Sequence, residues 1–251
     1  MQKEINKAFD LIKSSKHIFF FTGAGISTSS GIPDFRSKNG LYNMVRDLNR
    51  DIENPELVFD ISYFKKDPSL FYEVSSLILN YDVVPTLSHR FIAHIEQLGK
   101  LSLLVTQNID MLHTKAGNKN VFECHGSYSE ARCLTCDKTY SFCELEATIL
   151  NRQVPLCNCG GVIKPNVVFF GEQLPFEFYD IYEDPPHCDL VVVVGTSLTV
   201  QPAASLPLKL LTEAKSIIIN KEKTIFDGKF DLVIHEESDL VFDKIWKMID
   251  L

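Results

Sequence analysis

No run of apolar residues in this sequence is long enough to cross a bilayer. The longest, such as Ile18 to Phe21 and Leu190 to Val194, are strand-sized, whereas a membrane helix needs about 20 residues. Positive charge is in deficit as well: 25 lysines and arginines stand against 33 aspartates and glutamates, a formal net charge of −8. Such a surface repels a phosphate backbone, which excludes a sequence-independent grip on nucleic acid as the main task. The first residues, Met1-Gln2-Lys3-Glu4-Ile5-Asn6, lack the hydrophobic stretch of an export signal, so the cytosol is the expected compartment. Internal repeats and low-complexity tracts are absent, and a monomer is expected. What is present is ordinary: 45% apolar residues over 251 positions, enough for one well-packed domain.

A disulfide framework is missing too. The seven cysteines, at positions 124, 133, 136, 143, 157, 159 and 188, are odd in number in a chain without an export signal, which argues against paired thiols. Their spacing points elsewhere. Cys133-Leu-Thr-Cys136 is a C-x-x-C pair, and Cys157-Asn-Cys159-Gly-Gly follows after a short ribbon. Two close thiolate pairs so separated wrap a tetrahedral zinc ion. Gly160 and Gly161 are expected to relieve the tight C-x-C bite through positive φ. Four protein ligands leave the metal no open position, so the expected zinc is structural. Cys124, Cys143 and Cys188 are expected to be buried thiols.

Residues 5–14 place Ile5, Phe9 and Ile12 about a helical turn apart, as an amphipathic helix does. His17 to Phe21 is a continuous apolar run of the kind found in buried parallel strands. It leads into Thr22-Gly-Ala-Gly-Ile-Ser27, where a glycine-rich turn entering a helix would offer backbone N–H groups to a phosphate. From 33 to about 81 the pattern is helical and broken, with Pro55 and Pro68 in first helical turns. A helix is predicted over 88–98, stopped by Gly99. Buried strands are predicted over 101–106, 121–124, 166–170, 190–195 and 216–219, and helices near 176–182, 203–212 and 240–249. The alternation describes an α/β fold, a Rossmann-like doubly wound parallel sheet formed by about 1–32, 86–126 and 166–251. A helical insertion would occupy about 33–85, and a small four-cysteine zinc module about 127–165.

The glycine-rich turn lacks the third glycine of a G-x-G-x-x-G fingerprint. Position 28 is Thr28, and Gly31-Ile-Pro-Asp-Phe-Arg36 stands where a second strand would end in an acidic residue. That departure favours a protein that binds a dinucleotide without transferring hydride. The motifs that remain are Gly23-Ala-Gly-Ile-Ser27, the loop to Arg36, Thr106-Gln-Asn-Ile-Asp110 and His125-Gly126, and after the cysteines Val168-Phe-Phe-Gly-Glu172. Gly195-Thr-Ser197 with Pro202-Ala-Ala204 and Asn220-Lys-Glu222 complete the set. In type and order these resemble a sirtuin, an NAD-dependent protein deacylase, and the pattern is closest to bacterial sirtuins such as the Thermotoga enzyme.

The resemblance implies roles for individual residues. Gly23, Ala24, Gly25 and Ser27 would hold the pyrophosphate of NAD through backbone amides. Asp34, Phe35 and Arg36 would belong to a loop that closes over the cofactor, with Arg36 on phosphate and ribose and Phe35 shielding the reacting carbon. Gln107, Asn108, Ile109 and Asp110 would surround nicotinamide and its ribose. Gly195, Thr196 and Ser197 would meet the phosphate and ribose, and Asn220, Glu222, Asp239 and Leu240 the adenosine end. A carboxylate on the ribose hydroxyls suits NAD over NADP. Read without the family, Phe35 is a core residue and Asn108-Ile-Asp110 a helix N-cap signal, and a surface ion pair is the alternative for Arg36.

His125 follows Cys124 at a strand end, where neighbours face opposite ways, so the two form no thiolate–imidazolium pair. An imidazole titrating near neutrality suits a general base on a ribose hydroxyl. The implied catalytic set is His125, Asn108 and Asp110. In the implied reaction, the acyl-lysine oxygen attacks the nicotinamide ribose carbon, nicotinamide leaves, and His125 then activates a hydroxyl that takes the acyl group onto ADP-ribose. Val168, Phe169, Phe170, Gly171 and Glu172 resemble the segment that pairs with a substrate peptide as an added strand. Sirtuins that remove acidic acyl groups carry Tyr-x-x-Arg in the insertion. Here Ser75 and Ile78 fall at those positions and no arginine occurs from Asp51 to His89, so neutral acyl groups are expected, acetyl first. Protein mono-ADP-ribosyl transfer is the alternative chemistry, and a zinc-ribbon binding module the alternative from another class.

Overall fold

The computed structural model describes residues 1–35, 37, 40–48, 52, 54–79 and 83–249. Helix α1 (Gln2–Ser14) buries Ile5, Ala8 and Ile12 and leads into strand β1 (Ile18–Thr22). Two short 3₁₀ turns, Ala24–Ile26 and Thr28–Ser30, then stand where a helix was expected. Next come α2 (Leu41–Asp47), a 3₁₀ helix over Pro55–Phe59, α3 (Ile61–Lys66) and α4 (Ser69–Leu79). Helix α5 (Leu87–Gln97), β2 (Leu101–Thr106), α6 (Leu112–Ala116) and β3 (Val121–Glu123) follow. The cysteine-bearing part contains β4 (Gly126–Cys133), β5 (Thr139–Ser141), α7 (Phe142–Leu150) and β6 (Ile163–Val167). The chain then runs through α8 (Phe176–Glu183), β7 (Leu190–Val194), α9 (Ser205–Leu210), β8 (Lys215–Ile219), β9 (Leu232–Ile234) and α10 (Ser238–Ile249). Among the described residues no helix is long and apolar enough to cross a membrane.

Six strands form a parallel sheet in the order β3-β2-β1-β7-β8-β9. Strand alternation sends Phe20, Val192 and Ile217 into one core with α1, and Phe19, Val191 and Ile218 into another on the opposite face. Both faces are therefore covered, which is why these strands read as unbroken apolar runs. Each such side chain contributes about 1.5–3 kcal/mol on burial. Strand order reverses between β1 and β7, and the connections leaving their carboxyl ends diverge to open a crevice there.

A second, antiparallel sheet has the order β5-β4-β6. The stretch 166–170, expected as a strand of the parallel sheet, instead begins in this one, because β6 runs from Ile163 to Val167. Pro165 sits within β6 opposite Ala131. Proline brings no ladder donor and is tolerated because β6 lies at the sheet edge. Beyond Val167 the chain leaves the sheet, and the Phe170 amide donates to the Phe59 carbonyl at 2.7 Å. A third core joins the insertion to this sheet, packing Leu70, Phe71, Tyr72 and Val74 against Tyr128, Ile163 and Phe169. Two buried hydroxyls cross the same boundary: Tyr72 donates to the Ile163 carbonyl, and Ser75 Oγ pairs with the Tyr128 hydroxyl at 2.8 Å.

Gly126, the first residue of β4, has φ +68°, and a Cβ there would sit 1.8 Å from the Asn166 carbonyl oxygen. Neither group can retreat without parting Gly126 from Val167, its partner across the sheet. Gly126→Ala is expected to cost about 2–4 kcal/mol, read as a lower denaturant midpoint. Gly31, at φ +90° with nothing within 4 Å of a built Cβ, is the control, and Gly31→Ala should cost only about 1 kcal/mol.

Candidate functional site

A cavity of about 830 Å³ opens along the carboxyl ends of β1, β2, β7 and β8, closed on its far side by the insertion and residues 167–174. Its floor depends on two loops coming into backbone contact. The Gly25 amide donates to the Gly195 carbonyl at 2.8 Å and the Gly23 amide to Val194 at 3.0 Å. A Cβ on Gly25 would meet the Gly195 Cα at 2.8 Å, and one on Gly195, where φ is +64°, would meet the Ile26 nitrogen at 2.4 Å. The amides of Gly25, Ile26 and Ser27 are all used internally. The glycines therefore serve loop-to-loop packing, and the simple picture of a turn with its amides turned to a phosphate does not hold for these three positions. Ala24, Gly25, Thr28 and Ser29 line the cavity, while Gly23 and Ser27 lie behind its wall.

The end of β2 supplies a connected polar group. Asn108 Nδ2 donates to Ser27 Oγ at 3.1 Å and lies 3.3 Å from the Gly23 carbonyl. Ser27 Oγ donates in turn to Asp110 Oδ2 at 2.6 Å. The other oxygen of Asp110 accepts from the Leu112 amide at 2.9 Å, capping α6. The carboxyl group thus ties the start of α6 to the Ser27–Asn108 group. Burial pushes the Asp110 carboxyl above the usual carboxylate range, against the Ser27 and Leu112 hydrogen bonds that favour its charged form. Gln107, Asn108 and Ile109 line the cavity, whereas Asp110 stands behind them.

His125 lines the same cavity from the end of β3. Its Nδ1 lies 3.0 Å from the Gln107 carbonyl. A carbonyl only accepts, so Nδ1 carries the proton and Nε2 is the basic nitrogen. Burial pushes the His125 pKa below the ordinary imidazole value, with the Gln107 hydrogen bond opposing. Cys124 points away, its thiol donating to the Thr106 carbonyl at 3.2 Å, and burial raises its pKa so far that it stays a thiol. It offers no nucleophile.

Asp34, Phe35, Tyr42, Phe59, Val168, Phe169, Phe170, Gly171 and Glu172 form the insertion side of the cavity, and Gly195, Thr196, Ser197, Asn220 and Glu222 the opposite end. The Thr196 hydroxyl donates to Gln107 Oε1 at 2.7 Å. Arg36 lies outside the described residues. Asp239 and Leu240 are not on the wall. The Asp239 carboxylate instead accepts from the Leu87 and Ser88 amides at the start of α5, and Leu240 is turned to solvent. Ser238, Glu236 and Glu237 occupy the place expected of that pair. Tyr42, Phe59, Tyr179 and Gln201 also escaped the sequence reading. They come from separate elements that only tertiary packing brings together, whereas the polar run Ser27-Thr-Ser-Ser30 did carry a signal for Thr28 and Ser29.

The four expected cysteine ligands converge. Their sulfurs all lie within 4.8 Å of one another, with Cys133 and Cys159 3.5 Å apart and Cys136 and Cys157 3.6 Å apart. Four Zn–S bonds of about 2.3 Å in a tetrahedron set sulfurs about 3.8 Å apart, so the donor set fits a structural zinc ion. The Tyr140 hydroxyl donates to Cys157 Sγ at 3.0 Å; the Cys159 backbone amide, and after it this hydroxyl, lower that thiol to about 6. Gly160 has the expected positive φ of +84°. Gly161 does not; it is glycine for space, since a Cβ would sit 2.7 Å from Cys133 Sγ. None of the four cysteines lines the cavity. Cys124 and Cys188 are buried, but Cys143 is exposed, because α7 turns Leu145 and Ile149 inward and position 143 lies on its other face.

The Sir2 family model matches residues 23–202, and the chain belongs to that family. It is 41% identical over 250 residues to NAD-dependent protein deacylase 2 of Archaeoglobus fulgidus, covering 98% of this chain and 96% of that one. It is 45% identical over 217 residues to NAD-dependent protein deacetylase sir-2.1 of Caenorhabditis elegans, covering 86% of this chain and 36% of that protein. The chain spans about a third of the length of the first curated relatives it matches. A solved Sir2 structure with a deacetylated p53 peptide and 3′-O-acetyl-ADP-ribose superposes with a TM-score of 0.82 at 35% identity, covering 97% of this chain and 98% of that one.

Zinc removal has a specific expected outcome. Chelation should unfold the β4-β5-β6 sheet, seen as lost circular dichroism and a lower melting temperature, with zinc restoring both. Chelator-resistant folding at neutral pH would contradict the structural role.

Proposed function

We propose that the chain is an NAD-dependent protein-lysine deacylase, acting on acetyl-lysine first, which transfers the acyl group to ADP-ribose and releases nicotinamide. The relatives named above support the reading. The observation that carries it is His125, a cavity-lining imidazole whose Nδ1–H is committed to the Gln107 carbonyl, leaving Nε2 as a neutral base. NAD brings a ribose carbon already bonded to a good leaving group. The protein's task is then to position, exclude water and move one proton. Asn108, held by Ser27 and Asp110, and Gln107 orient the nicotinamide ribose. His125 Nε2 takes the proton from its hydroxyl. Phe35, packed against Tyr42 and Phe59, keeps water from the reacting carbon. Ala24, Gly195 and Ser197 serve the phosphates, and Asn220 and Glu222 the adenosine ribose.

The peptide would run along Val168 to Glu172. The amides of Val168, Phe170 and Glu172 donate to protein carbonyls, and that of Phe169 donates to the Glu172 carboxylate. Strand addition would therefore use the segment's carbonyls and the Gly171 amide. Among the described residues Lys221 is the lysine or arginine on the cavity wall, and its ammonium is paired with Glu237 at 2.8 Å. An acyl carboxylate would find no partner among them. The protein is proposed to act as a monomer in the cytosol, where a reducing milieu suits its free thiols.

Mass spectrometry of acetyl-peptide with NAD is expected to show O-acetyl-ADP-ribose. Nicotinamide release with ADP-ribose attached to protein would instead favour mono-ADP-ribosyl transfer. On matched peptides deacetylation should exceed desuccinylation by about tenfold or more, since a buried unpaired carboxylate costs several kcal/mol. His125→Ala should lower kcat by about 10²–10⁴-fold with little change in melting temperature.

The pH dependence has a definite sign. His125 works as the neutral base and burial lowers its pKa, so kcat/KM should hold as pH falls to 6.5 and decline only below it. An acid limb centred above 6.5 would contradict the assigned tautomer and environment.

A further inference from the structure

Strand β6 carries a lysine into the interior. Lys164 is 6% exposed. Its ammonium donates to the Val167 carbonyl at 2.6 Å and lies 3.4 Å from the Pro165 carbonyl. It is 2.9 Å from Glu172 Oε2 and 4.1 Å from the centre of the Phe169 ring. The same Glu172 oxygen accepts from the Phe169 amide at 2.8 Å. Val167, Phe169 and Glu172 all line the cavity. One cation thus touches three members of a single cavity-lining segment at its carbonyl, its ring and its carboxylate.

The backbone of that segment needs such a tie. The Glu172 amide turns back to the Phe169 carbonyl at 2.9 Å, and Gly171 takes φ +88°. On one side, Phe170 is fastened to Phe59 and Ile61 through its amide and carbonyl. At the start of the segment the Val168 amide donates to the His125 carbonyl at 2.8 Å, and the remaining described side-chain ties of the bend converge on Lys164 and Glu172. Burying an ammonium is unfavourable unless it is well paired. Position 164 faces Arg132 across β4–β6, a ladder that an apolar side chain would satisfy equally. The cation is thus explained by the bend rather than by the strand.

We propose that Lys164 is a positioning residue for the acyl-peptide: its ammonium holds residues 167–172 in the bent form that presents Val168 and Phe169 to the substrate, and neutralises Glu172 at the end of that segment. The proposal rests on the deacylase reading for its ligand, and it predicts an effect confined to the peptide. Burial lowers the pKa of Lys164 while Glu172 raises it, as a paired interior cation requires.

The test is direct binding of a fluorescent acetyl-lysine peptide by anisotropy, beside the KM for NAD and the melting temperature. Lys164→Met is expected to weaken peptide binding roughly tenfold with NAD affinity unchanged within about twofold. Lys164→Arg, which keeps a multidentate cation, should recover most of the loss. Lys164→Met with Glu172→Gln should be little worse than Lys164→Met alone, because both break one tie. Unchanged peptide affinity, parallel loss of peptide and NAD binding, or failure of arginine to rescue would each overturn the proposal. If Lys164→Met does not fold, Glu172→Gln reads the same tie. It keeps an oxygen for the Phe169 amide and removes the charge, and severalfold weaker peptide binding is expected, unaltered binding being the contrary result. Because peptide binding is read without turnover, absent deacetylation by the native protein would sink the catalytic reading and leave this test intact.

Discussion

Gln107 spends its polar groups on three neighbouring strand ends at once. Its amide donates to the Thr22 carbonyl at the end of β1, its carbonyl accepts from His125 beyond β3, and its side-chain oxygen accepts from Thr196 beyond β7. The crevice exists because the connections leaving parallel strands diverge at a reversal of order, and this residue ties three of those strand ends together at its floor. The tautomer of His125, the seat of Thr196 and the entry to the Asn108 loop all follow from it. The Gly25–Gly195 contact closes the same floor from the other side, where any side chain would wedge the loops apart.

Electrostatics in the crevice run in one direction. Burial raises Asp110 and lowers His125, so an acid and a base are both drawn toward neutrality. That trend at the reacting end suits a reaction whose reactants include a neutral amide. Two ion pairs stand at the cavity, Lys164 with Glu172 and Lys221 with Glu237, and Glu222 and Glu236 add further carboxylates to its wall. Zinc lies apart from this chemistry, and its contribution is to hold the sheet whose first strand begins immediately after His125.

Much of the fold was legible because β1 and β7, with the second half of β2 and most of β8, are buried on both faces and so read as apolar runs. The three-residue β9 has too little sequence to show a period. The misplacement of 166–170 has a physical cause: Val167 to Phe170 has the apolar content of a buried strand, but that content fills the insertion core and the cavity wall, while the true strand is disguised by Pro165 and Lys164. Site residues at strand ends were readable from motifs that follow a run directly. Tyr42, Phe59 and Tyr179 were not, since nothing local marks a side chain that becomes part of a wall only after helices dock. Asp239 shows the converse, a motif-adjacent carboxylate spent on capping α5.

The shared core between the insertion and the antiparallel sheet has a mechanical consequence. Phe71, Tyr72, Tyr128 and Phe169 interlock, and the two buried hydroxyl ties cross between α4 and that sheet. The two excursions from the parallel sheet are thereby fused into one lobe, although they arise from distant parts of the chain. Neither excursion can then shift against the other without breaking those ties, so that the cysteine cluster and the aromatic wall of the crevice belong to one body.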